Sequence, residues 1–161
     1  MPDVYLGLGS NLGNRMEHLA MARDAITSRV GTITAESSIY DTAPWGPVPQ
    51  DNYLNQVVRV SATLAPRELL GVLHEIERAA GRDRKNEVRY GPRVLDLDIL
   101  LYGDSAVNED GLTIPHPRIA ERAFVLVPLA EIAPKLSIAG EPIETLLHHV
   151  DTTSVRRLNP I

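Results

Sequence analysis

The segment from Val94 to Leu101 constrains the fold most, because its side chains alternate with the two-residue period of a β-strand. The alternation predicts one face with Leu95, Leu97, Ile99 and Leu101, and an opposite face with Val94, Asp96, Asp98 and Leu100. The Cα atoms of Asp96 and Asp98 should lie roughly 6.6 Å apart, from about 3.3 Å of rise per residue. Both carboxylates should therefore point to the same side of a strongly apolar strand.

Two carboxylates at this spacing predict a site for divalent metal ions. They can converge on one cation or hold two ions about 3.5–4 Å apart. Without a cation they would repel each other. The alternative is a solvated strand face with two acids that share no role.

A run of cations directly before this strand favours the metal site. The 16 residues from 78 to 93 contain six of the chain's 16 Lys and Arg residues, although the formal net charge is −5. They are Arg78, Arg82, Arg84, Lys85, Arg89 and Arg93. Guanidinium groups match phosphate oxygens, and a metal would take up part of the phosphate charge. The run therefore predicts a site for a magnesium-bound polyphosphate, with a solvated helix end and loop as the alternative.

Length and composition limit the class of protein. A chain of 161 residues, 43% hydrophobic and 23% charged, predicts one globular domain over residues 1–161. No apolar run reaches the roughly 18–20 residues of a membrane span, and the N-terminal residues do not resemble a secretory signal. The absence of cysteine excludes disulfides and fits a cytoplasmic protein. The acidic balance argues against a nucleic-acid binder, and we expect a monomer with neither a nucleic-acid nor a membrane partner.

The first half of the chain predicts strands and a helix around two irregular segments. A strand over Val4 to Leu8 runs into a glycine-rich turn and a helix over Arg15 to Arg29. The turn either binds phosphate at the helix N-terminus or allows a tight crossing, and its spacing does not match the dinucleotide fingerprint. A second strand is predicted over Thr32 to Tyr40. In the Pro-rich loop from Asp41 to Asn52, Trp45 either anchors the loop or covers a ligand.

A third predicted strand, Tyr53 to Ala62, carries a ring and an amide on one face. Tyr53 and Asn55 together suit a flat heterocycle, although Asn55 could instead bond the neighbouring loop. A helix is predicted over Pro66 to Ala80. His74 and Glu77 lie three residues apart on its polar side, which alone predicts a solvated face.

After the central strand, short edge strands are predicted at Val107 and at Leu112 to Ile114. His116 stands between two prolines, which predicts either a positioned hydrogen-bond donor or a structural histidine. A helix should run from about Arg122 to Ile132, and a short amphipathic segment from Ile143 to Val150.

Several motifs together carry a family resemblance. They are Gly9-Ser-Asn-Leu12, Tyr40-x-Thr-x-Pro44, Tyr53-Leu-Asn55, Gly81-Arg-x-Arg84, Gly91-Pro-Arg93, Leu95-Asp-Leu-Asp-Ile99 and Ile114-Pro-His116. From residue 4 to about residue 135 the chain resembles the 6-hydroxymethyl-7,8-dihydropterin pyrophosphokinases of folate biosynthesis. The resemblance implies transfer of the β,γ-diphosphate of ATP to the pterin's hydroxymethyl oxygen, with release of AMP. It also implies an α+β fold with a ferredoxin-like βαββαβ core and extra strands, as a three-layer α/β/α sandwich.

The resemblance implies three groups of site residues. Asp96 and Asp98 would hold two Mg²⁺ ions, with Arg82 and Arg93 at the transferred phosphates. The ATP side would comprise His74, Glu77, Arg84, Lys85, Ile99, Thr113 and His116. The pterin side would comprise Thr42, Ala43, Trp45, Tyr53, Asn55, Arg122 and Phe124.

Four positions depart from the family pattern. Tyr90 stands where a Trp is common, which leaves its role as a lid residue open. His74 stands where Gln is frequent, and Pro117 where Tyr is frequent. Gly111 replaces an Arg that often contacts ATP, so that contact would be weaker or supplied elsewhere.

Two other functions stay open from the sequence. A metal-dependent nucleotide hydrolase would use the same acids with water as acceptor, but would not need Tyr53, Asn55 and Phe124. A non-catalytic ferredoxin-like binding module would not need Asp96 and Asp98 together.

Overall fold

An antiparallel sheet forms the centre of the protein, in a computed structural model that describes residues 1–158. The strands are β1 (Asp3–Ser10), β2 (Gly31–Glu36), β3 (Tyr40–Thr42), β4 (Tyr53–Ala62), β5 (Asp96–Tyr102), β6 (Val107–Glu109), β7 (Leu112–Ile114), β8 (Ser137–Ile138), β9 (Glu141–Pro142) and β10 (Val155–Arg157). The helices are α1 (Arg15–Arg29), α2 (Pro66–Ala79), α3 (Ala123–Ile132) and α4 (Ile143–Leu147).

The strand order defines a ferredoxin-like core. The main sheet runs β10-β3-β4-β1-β5, and β2 pairs with β4 beside β3. Because α1 follows β1 and α2 joins β4 to β5, the chain order and the antiparallel pairing reproduce βαββαβ. The predicted α+β class and core are confirmed. β6 and β7 form a separate hairpin, as do β8 and β9.

Helices cover both faces of the sheet, as the three-layer prediction requires. On one face α1 and α2 contribute Leu19, Ala22, Ile26, Leu69, Leu73 and Ile76 to a buried core. On the other face α3 and α4 contribute Val125, Leu126, Leu129, Ile143 and Leu146. Asn14 caps α1 by accepting from the Glu17 N–H, and Pro66 opens α2, where its missing N–H leaves no helix bond unmade. Within residues 1–158 no helix is both long and apolar enough to span a bilayer.

The predicted second strand, Thr32 to Tyr40, is in fact two strands. The Ser37 N–H donates to the Val57 carbonyl (2.9 Å), while the Ser37 hydroxyl accepts from the Val57 N–H (3.0 Å). That hydroxyl also donates to the Ser38 carbonyl. These side-chain bonds replace the regular ladder at this point. The chain therefore breaks after β2 and resumes as β3, opposite the other half of β4.

A β-bulge in the central strand places Leu101 on the face opposite to the predicted one. Tyr5 pairs with Leu101 and Leu6 with Ile99, which leaves Leu100 without a partner in β1. One extra residue reverses the alternation beyond it. Leu101 therefore lies in the core under α3 and α4, not with Leu95, Leu97 and Ile99 as predicted. The two acids precede the bulge and keep their common face.

Candidate active site

The acidic pair lies opposite two glycines of β1. Asp98 pairs with Gly7 and Asp96 with Gly9. A Cβ atom at Gly9 would lie 2.7 Å from Asn55 Oδ1 and 3.4 Å from the Tyr53 ring. Gly9 therefore makes room for side chains of the neighbouring strand, which supports the tight-crossing interpretation of the turn.

Two cavities meet at the acidic pair. The first, which we call the aromatic cavity, is lined by Thr42, Ala43, Trp45, Tyr53, Asn55, Arg82, Arg89, Tyr90, Gly91, Arg93, Asp96, Asp98, His116, Arg122 and Phe124. The second, which we call the α2 cavity, is lined by Leu70, His74, Arg84, Leu97, Asp98, Ile99, Gly111, Leu112, Thr113, His116 and Pro117. Asp98 and His116 line both. No residue from the glycine-rich turn lines either, so phosphate binding at the start of α1 gains no support.

The structure gathers most of the predicted site residues into these cavities. All seven residues predicted for the pterin side line the aromatic cavity. His74, Arg84, Ile99, Thr113 and His116 line the α2 cavity. Lys85 is exposed in a short turn and lines neither cavity.

Glu77 corrects two expectations, because it is neither on a solvated face nor in a cavity. Its side chain is buried, with only 1% of its surface exposed. Its Oε2 atom accepts from Arg82 Nη1 (2.6 Å) and the Leu97 N–H (2.8 Å), and Oε1 accepts from Arg84 Nη2 (2.7 Å). Burial raises the pKa of Glu77, while these donors oppose the shift. Both carboxylate oxygens bind groups of the protein and Glu77 lines neither cavity, so the predicted contact with ATP gains no support.

Arg82 connects Glu77 to the acidic pair. Its Nη1 atom donates to Asp96 Oδ1 (2.9 Å) as well as to Glu77, and its other nitrogens donate to Glu87. Arg82, with only 7% of its side chain exposed, forms ion pairs with three carboxylates and compensates part of their charge. Arg82 thus holds Asp96 from one side and leaves Asp96 Oδ2 available.

Arg93 holds the loop in front of the acids. Its guanidinium donates to the carbonyls of Gly91 and Pro92 (both 2.9 Å) and of Val88 (3.0 Å). Its Nε atom lies 3.4 Å from Glu87 Oε2. Arg93 therefore stabilises residues 88–93 at the edge of the aromatic cavity.

In the part of the chain that the structure describes, the negative charge of Asp98 has no positive group as close to it as Arg82 is to Asp96. Arg122 Nη1 and His116 Nε2 each lie 4.0 Å from its carboxylate oxygens. Burial, then the charge of Asp96, raise the pKa of Asp98 well above its usual range, although Arg122 opposes them. A cation beside the pair would reverse this shift.

His116 presents a neutral donor to the same point. Its Nδ1 atom accepts from the Arg118 N–H (3.2 Å), so the proton of a neutral ring resides on Nε2. Burial, then Arg122 and Arg118, lower the pKa of His116 to about 4. The geometry supports the prediction of a positioned donor.

Asn55 and Tyr53 line the floor of the aromatic cavity. Asn55 Nδ2 donates to Thr42 Oγ1 (2.6 Å), which leaves Oδ1 as its free acceptor. The Tyr53 hydroxyl donates to the Gly91 carbonyl (2.9 Å). Burial, followed by the charge of Asp96, raises the pKa of Tyr53 to about 12, so the phenol stays protonated.

Aromatic rings from two loops meet at the mouth of this cavity. The rings of Trp45 and Tyr90 make an edge-to-face contact with centroids 5.0 Å apart. The Arg122 guanidinium lies 5.0 Å from the Trp45 centroid and 5.5 Å from that of Phe124. Arg118 lies 5.1 Å from the Trp45 centroid. Trp45 is therefore both a loop anchor and a cavity wall.

Sequence reasoning missed two polar residues that join the loops. Asn11 Nδ2 donates to Gln50 Oε1 (2.8 Å), and Asn11 Oδ1 accepts from the Arg93 N–H (2.8 Å). Gln50 Nε2 in turn donates to the Tyr90 carbonyl (2.7 Å). Asn11 lies in one of the motifs quoted above, but Gln50 carried no signal because its partners come from distant segments.

Comparison with known proteins identifies the family. Residues 5–134 match the family model for 7,8-dihydro-6-hydroxymethylpterin-pyrophosphokinase (HPPK). The chain is 45% identical over 159 residues to the 2-amino-4-hydroxy-6-hydroxymethyldihydropteridine pyrophosphokinase of Methylorubrum extorquens, covering 98% of this chain and 99% of that one. The Bacillus subtilis protein of the same name is 43% identical over 143 residues, with 88% and 84% covered.

A solved structure shows the same fold in a longer protein. The crystal structure of Plasmodium falciparum HPPK-DHPS with SDX-DHP has a TM-score of 0.74 to this chain at 16% identity. The match covers 98% of this chain and 47% of that one, so the chain spans about half the length of that structure.

Fold, site and relatives agree on the class of protein: an enzyme of the pyrophosphokinase type, an ATP-dependent diphosphotransferase. The chain belongs to the HPPK family. The matched range contains every candidate site residue from Thr42 to Phe124.

Proposed function

We propose that this protein transfers the β,γ-diphosphate of ATP to the hydroxymethyl oxygen of 6-hydroxymethyl-7,8-dihydropterin, in folate biosynthesis. The observation that supports this best is the meeting of two cavities at Asp98 and His116. A nucleotide in the α2 cavity and a pterin in the aromatic cavity would bring phosphate and hydroxyl together at the acidic pair.

The aromatic cavity suits the pterin. The free Asn55 Oδ1 atom would accept from an N–H on the edge of the ring. Tyr53 and Phe124 supply aromatic surface, and Trp45 lies at the mouth.

The α2 cavity suits the nucleotide. Leu70 and Ile99 offer apolar walls for a base, and His74 and Thr113 offer polar groups. Burial, then Arg84, lower the pKa of His74, so its ring is neutral at pH 7. Because Gly111 has no side chain, we propose that Arg84, which lines the same cavity, supplies the cationic contact.

The acidic pair fits Mg²⁺. This ion commonly binds one or two carboxylates and completes its shell with substrate phosphates and water. Within residues 1–158 no third His, Cys, Asp or Glu joins Asp96 and Asp98 in a ligating cluster, so phosphate oxygens would provide further ligands. Two ions held here would offset the negative charge of the transferred group.

The chain's own residues would orient the reactants and balance charge. In the reaction, the hydroxymethyl oxygen bonds to the β-phosphorus, and the bond between that phosphorus and the α,β-bridging oxygen breaks, so that AMP leaves with this oxygen. The hydroxyl proton passes to solvent. Arg82 and Arg122 would place positive charge beside the acids, and His116 Nε2–H would donate to a phosphate oxygen. The Trp45 and Tyr90 loops would exclude water, so that the pterin is the only acceptor.

Product analysis tests this function. The protein is incubated with MgATP and hydroxymethyldihydropterin, and the nucleotides are separated. We expect equal amounts of AMP and diphosphorylated pterin, and no product when EDTA replaces Mg²⁺. Release of ADP would contradict diphosphate transfer, and AMP formed without pterin would favour the hydrolase.

We also propose a cytoplasmic monomer without nucleic-acid or membrane partners. The net charge of −5 supports the lack of a nucleic-acid partner, because an acidic protein gains no general attraction to nucleic acid. Light scattering after size exclusion should give the mass of one chain, whereas twice that mass would contradict the monomer.

A further inference from the structure

The last strand of the sheet supports the segment that leads into the aromatic cavity. β10 pairs antiparallel with β3, with Val155 opposite Thr42 and Arg157 opposite Tyr40. On either side of these pairs, the Ala43 N–H donates to the Ser154 carbonyl (3.4 Å) and the Leu158 N–H donates to the Ile39 carbonyl (2.8 Å). Within residues 1–158 no other strand pairs with the outer edge of β3.

β3 needs this support because it is short and leads into an irregular loop. The strand has three residues, and the loop after it carries Pro44, Pro47 and Pro49, which cannot donate to a ladder. A third cavity separates this segment from the chain before β10. Its walls include Ala43, Trp45, Val150, Ser154 and Val155. The backbone at residues 42–45 is thus a partition between the aromatic cavity and the C-terminal segment.

Thr42 connects this partition to the cavity floor. The residue is 1% exposed, and its Oγ1 atom accepts from Asn55 Nδ2 (2.6 Å). In this arrangement Asn55 presents Oδ1 to the cavity, and the bond to Thr42 holds the Asn55 side chain in place. If Thr42 moved outward, Asn55 would lose the hydrogen bond that holds its side chain at the cavity.

We propose that β10 is a positioning element for the pterin side of the site, acting through Thr42 on Asn55. The inference rests on the proposed function. In this proposal β10 contacts neither substrate. It also has no effect on the α2 cavity, whose lining includes no residue of β3 or β10.

The alternation of an antiparallel ladder supplies a matched pair of variants. Because the pairs at residues 154 and 158 are hydrogen-bonded, the pair of Arg156 and Asp41 is also hydrogen-bonded, and the Arg157 N–H points away from β3. Arg156→Pro therefore removes a ladder donor, and Arg157→Pro does not. Both variants delete the same charge, and Arg156→Ala and Arg157→Ala measure the effect of the side chains alone.

Calorimetry measures two affinities. The first is that of 6-hydroxymethylpterin in the presence of Mg²⁺ and α,β-methylene-ATP, and the second is that of the magnesium complex of this analogue alone. We expect Arg156→Pro to weaken pterin binding roughly tenfold, the effect of about one net hydrogen bond. Analogue binding should stay within about twofold of wild type, and Arg157→Pro should bind both ligands like wild type. Thr42→Val should weaken pterin binding to the same extent as Arg156→Pro, whereas Thr42→Ser, which keeps the hydroxyl, should bind pterin like wild type.

The outcomes separate this inference from the proposed function. Equal pterin affinity in Arg156→Pro and Arg157→Pro would overturn the positioning role, as would an equal loss of both ligands in Arg156→Pro. An Arg156→Pro effect that adds fully to that of Thr42→Val would also overturn it, because changes acting through one residue should not add. Wild-type protein that binds the analogue but no pterin would overturn the proposed function itself.

Discussion

At the scale of single residues, Glu77 determines the arrangement of charges although it touches neither cavity. It binds Arg82, Arg84 and the Leu97 N–H, and Arg82 in turn binds Asp96. A buried carboxylate of this kind costs free energy to desolvate, and its partners compensate only while all are present. The acid therefore aligns one arginine with the acidic pair and another with the α2 cavity.

Glu77→Gln should destabilise the protein by about 3 kcal/mol, because the amide places an NH₂ group where a buried carboxylate oxygen now accepts from an arginine, which leaves donors unpaired. It should also lower turnover, since Arg82 would draw closer to Asp96. Urea unfolding and initial rates measure the two effects. Glu75→Gln is the matched control: this acid lies on the same helix, 51% exposed in a pair with Arg29, so its effect should stay within about 0.5 kcal/mol. Equal effects of the two variants would contradict the alignment role.

Asp96→Asn and Asp98→Asn should each lower turnover by at least about a hundredfold while leaving the fold intact. Each removes an anionic oxygen ligand at nearly constant volume. The exposed Asp104 supplies the control Asp104→Asn, which should keep wild-type activity. Wild-type activity in a folded Asp96 or Asp98 variant would contradict the metal site.

The pKa of Asp98 adds a dependence on pH. The pKa of Asp98 is higher in the folded protein than in the unfolded chain. Below pH about 4 the acid is protonated in both states and the folded protein keeps its full stability. As the pH rises, the unfolded chain loses the proton more readily, and the free energy of unfolding falls. Without metal, Asp98→Asn should therefore be more stable than wild type at pH 7 and close to it at pH 4. Melting curves with EDTA at both pH values measure this difference. If Asp98→Asn were more stable than wild type only at pH 4, the raised pKa of Asp98 would be contradicted.

At the scale of elements, periodic segments were predictable and cross-strand features were not. The bounds of α1 and β4 match the prediction, because each segment is long and is bordered by turn-forming residues. The bulge at Leu100 depends on the register with β1, which no single strand encodes. β10 has no periodic pattern in its three residues, and its pairing follows from the exposed edge of β3.

The candidate site divides in the same way. The acidic pair was predictable from the alternation of its strand, and the family resemblance implied all seven pterin-side residues that line the aromatic cavity. Other lining residues, such as Leu70 and Leu112, were not predicted as site residues. The burial of Glu77 was not, because its partners lie five, seven and 20 residues further along the chain. The link through Gln50 likewise joins segments that approach only in the folded protein.

The loops that carry Trp45 and Tyr90 should report on which cavity is filled. Trp45 lines the aromatic cavity and not the α2 cavity. Its emission should therefore change little with the magnesium complex of α,β-methylene-ATP alone and clearly once pterin is added. Trp45 is the only tryptophan, so the signal has one source after an inner-filter correction. Trp45→Phe should abolish it, and an emission that is equal in the free, binary and ternary states would show that the ring is a static anchor.

At the scale of the whole molecule, the two cavities should not bind independently. They share Asp98 and His116, and the loop held by Arg93 and Gln50 borders the aromatic cavity. A magnesium-bound polyphosphate would neutralise the shared acid Asp98 and order this loop. A pterin that binds second would then find the loop already ordered, and its binding would cost less conformational entropy.

The analogue should therefore tighten pterin binding by about 5- to 150-fold, and pterin should tighten analogue binding by the same factor, because coupling free energies are reciprocal. Calorimetric titrations in both orders measure the two factors. Asp98→Asn should reduce both toward one, since it removes the carboxylate that both cavities share, whereas Asp104→Asn should preserve them. A factor of one in wild type would show that the cavities are independent, and a coupling that survives in Asp98→Asn would place the connection in the loops instead of the acidic pair.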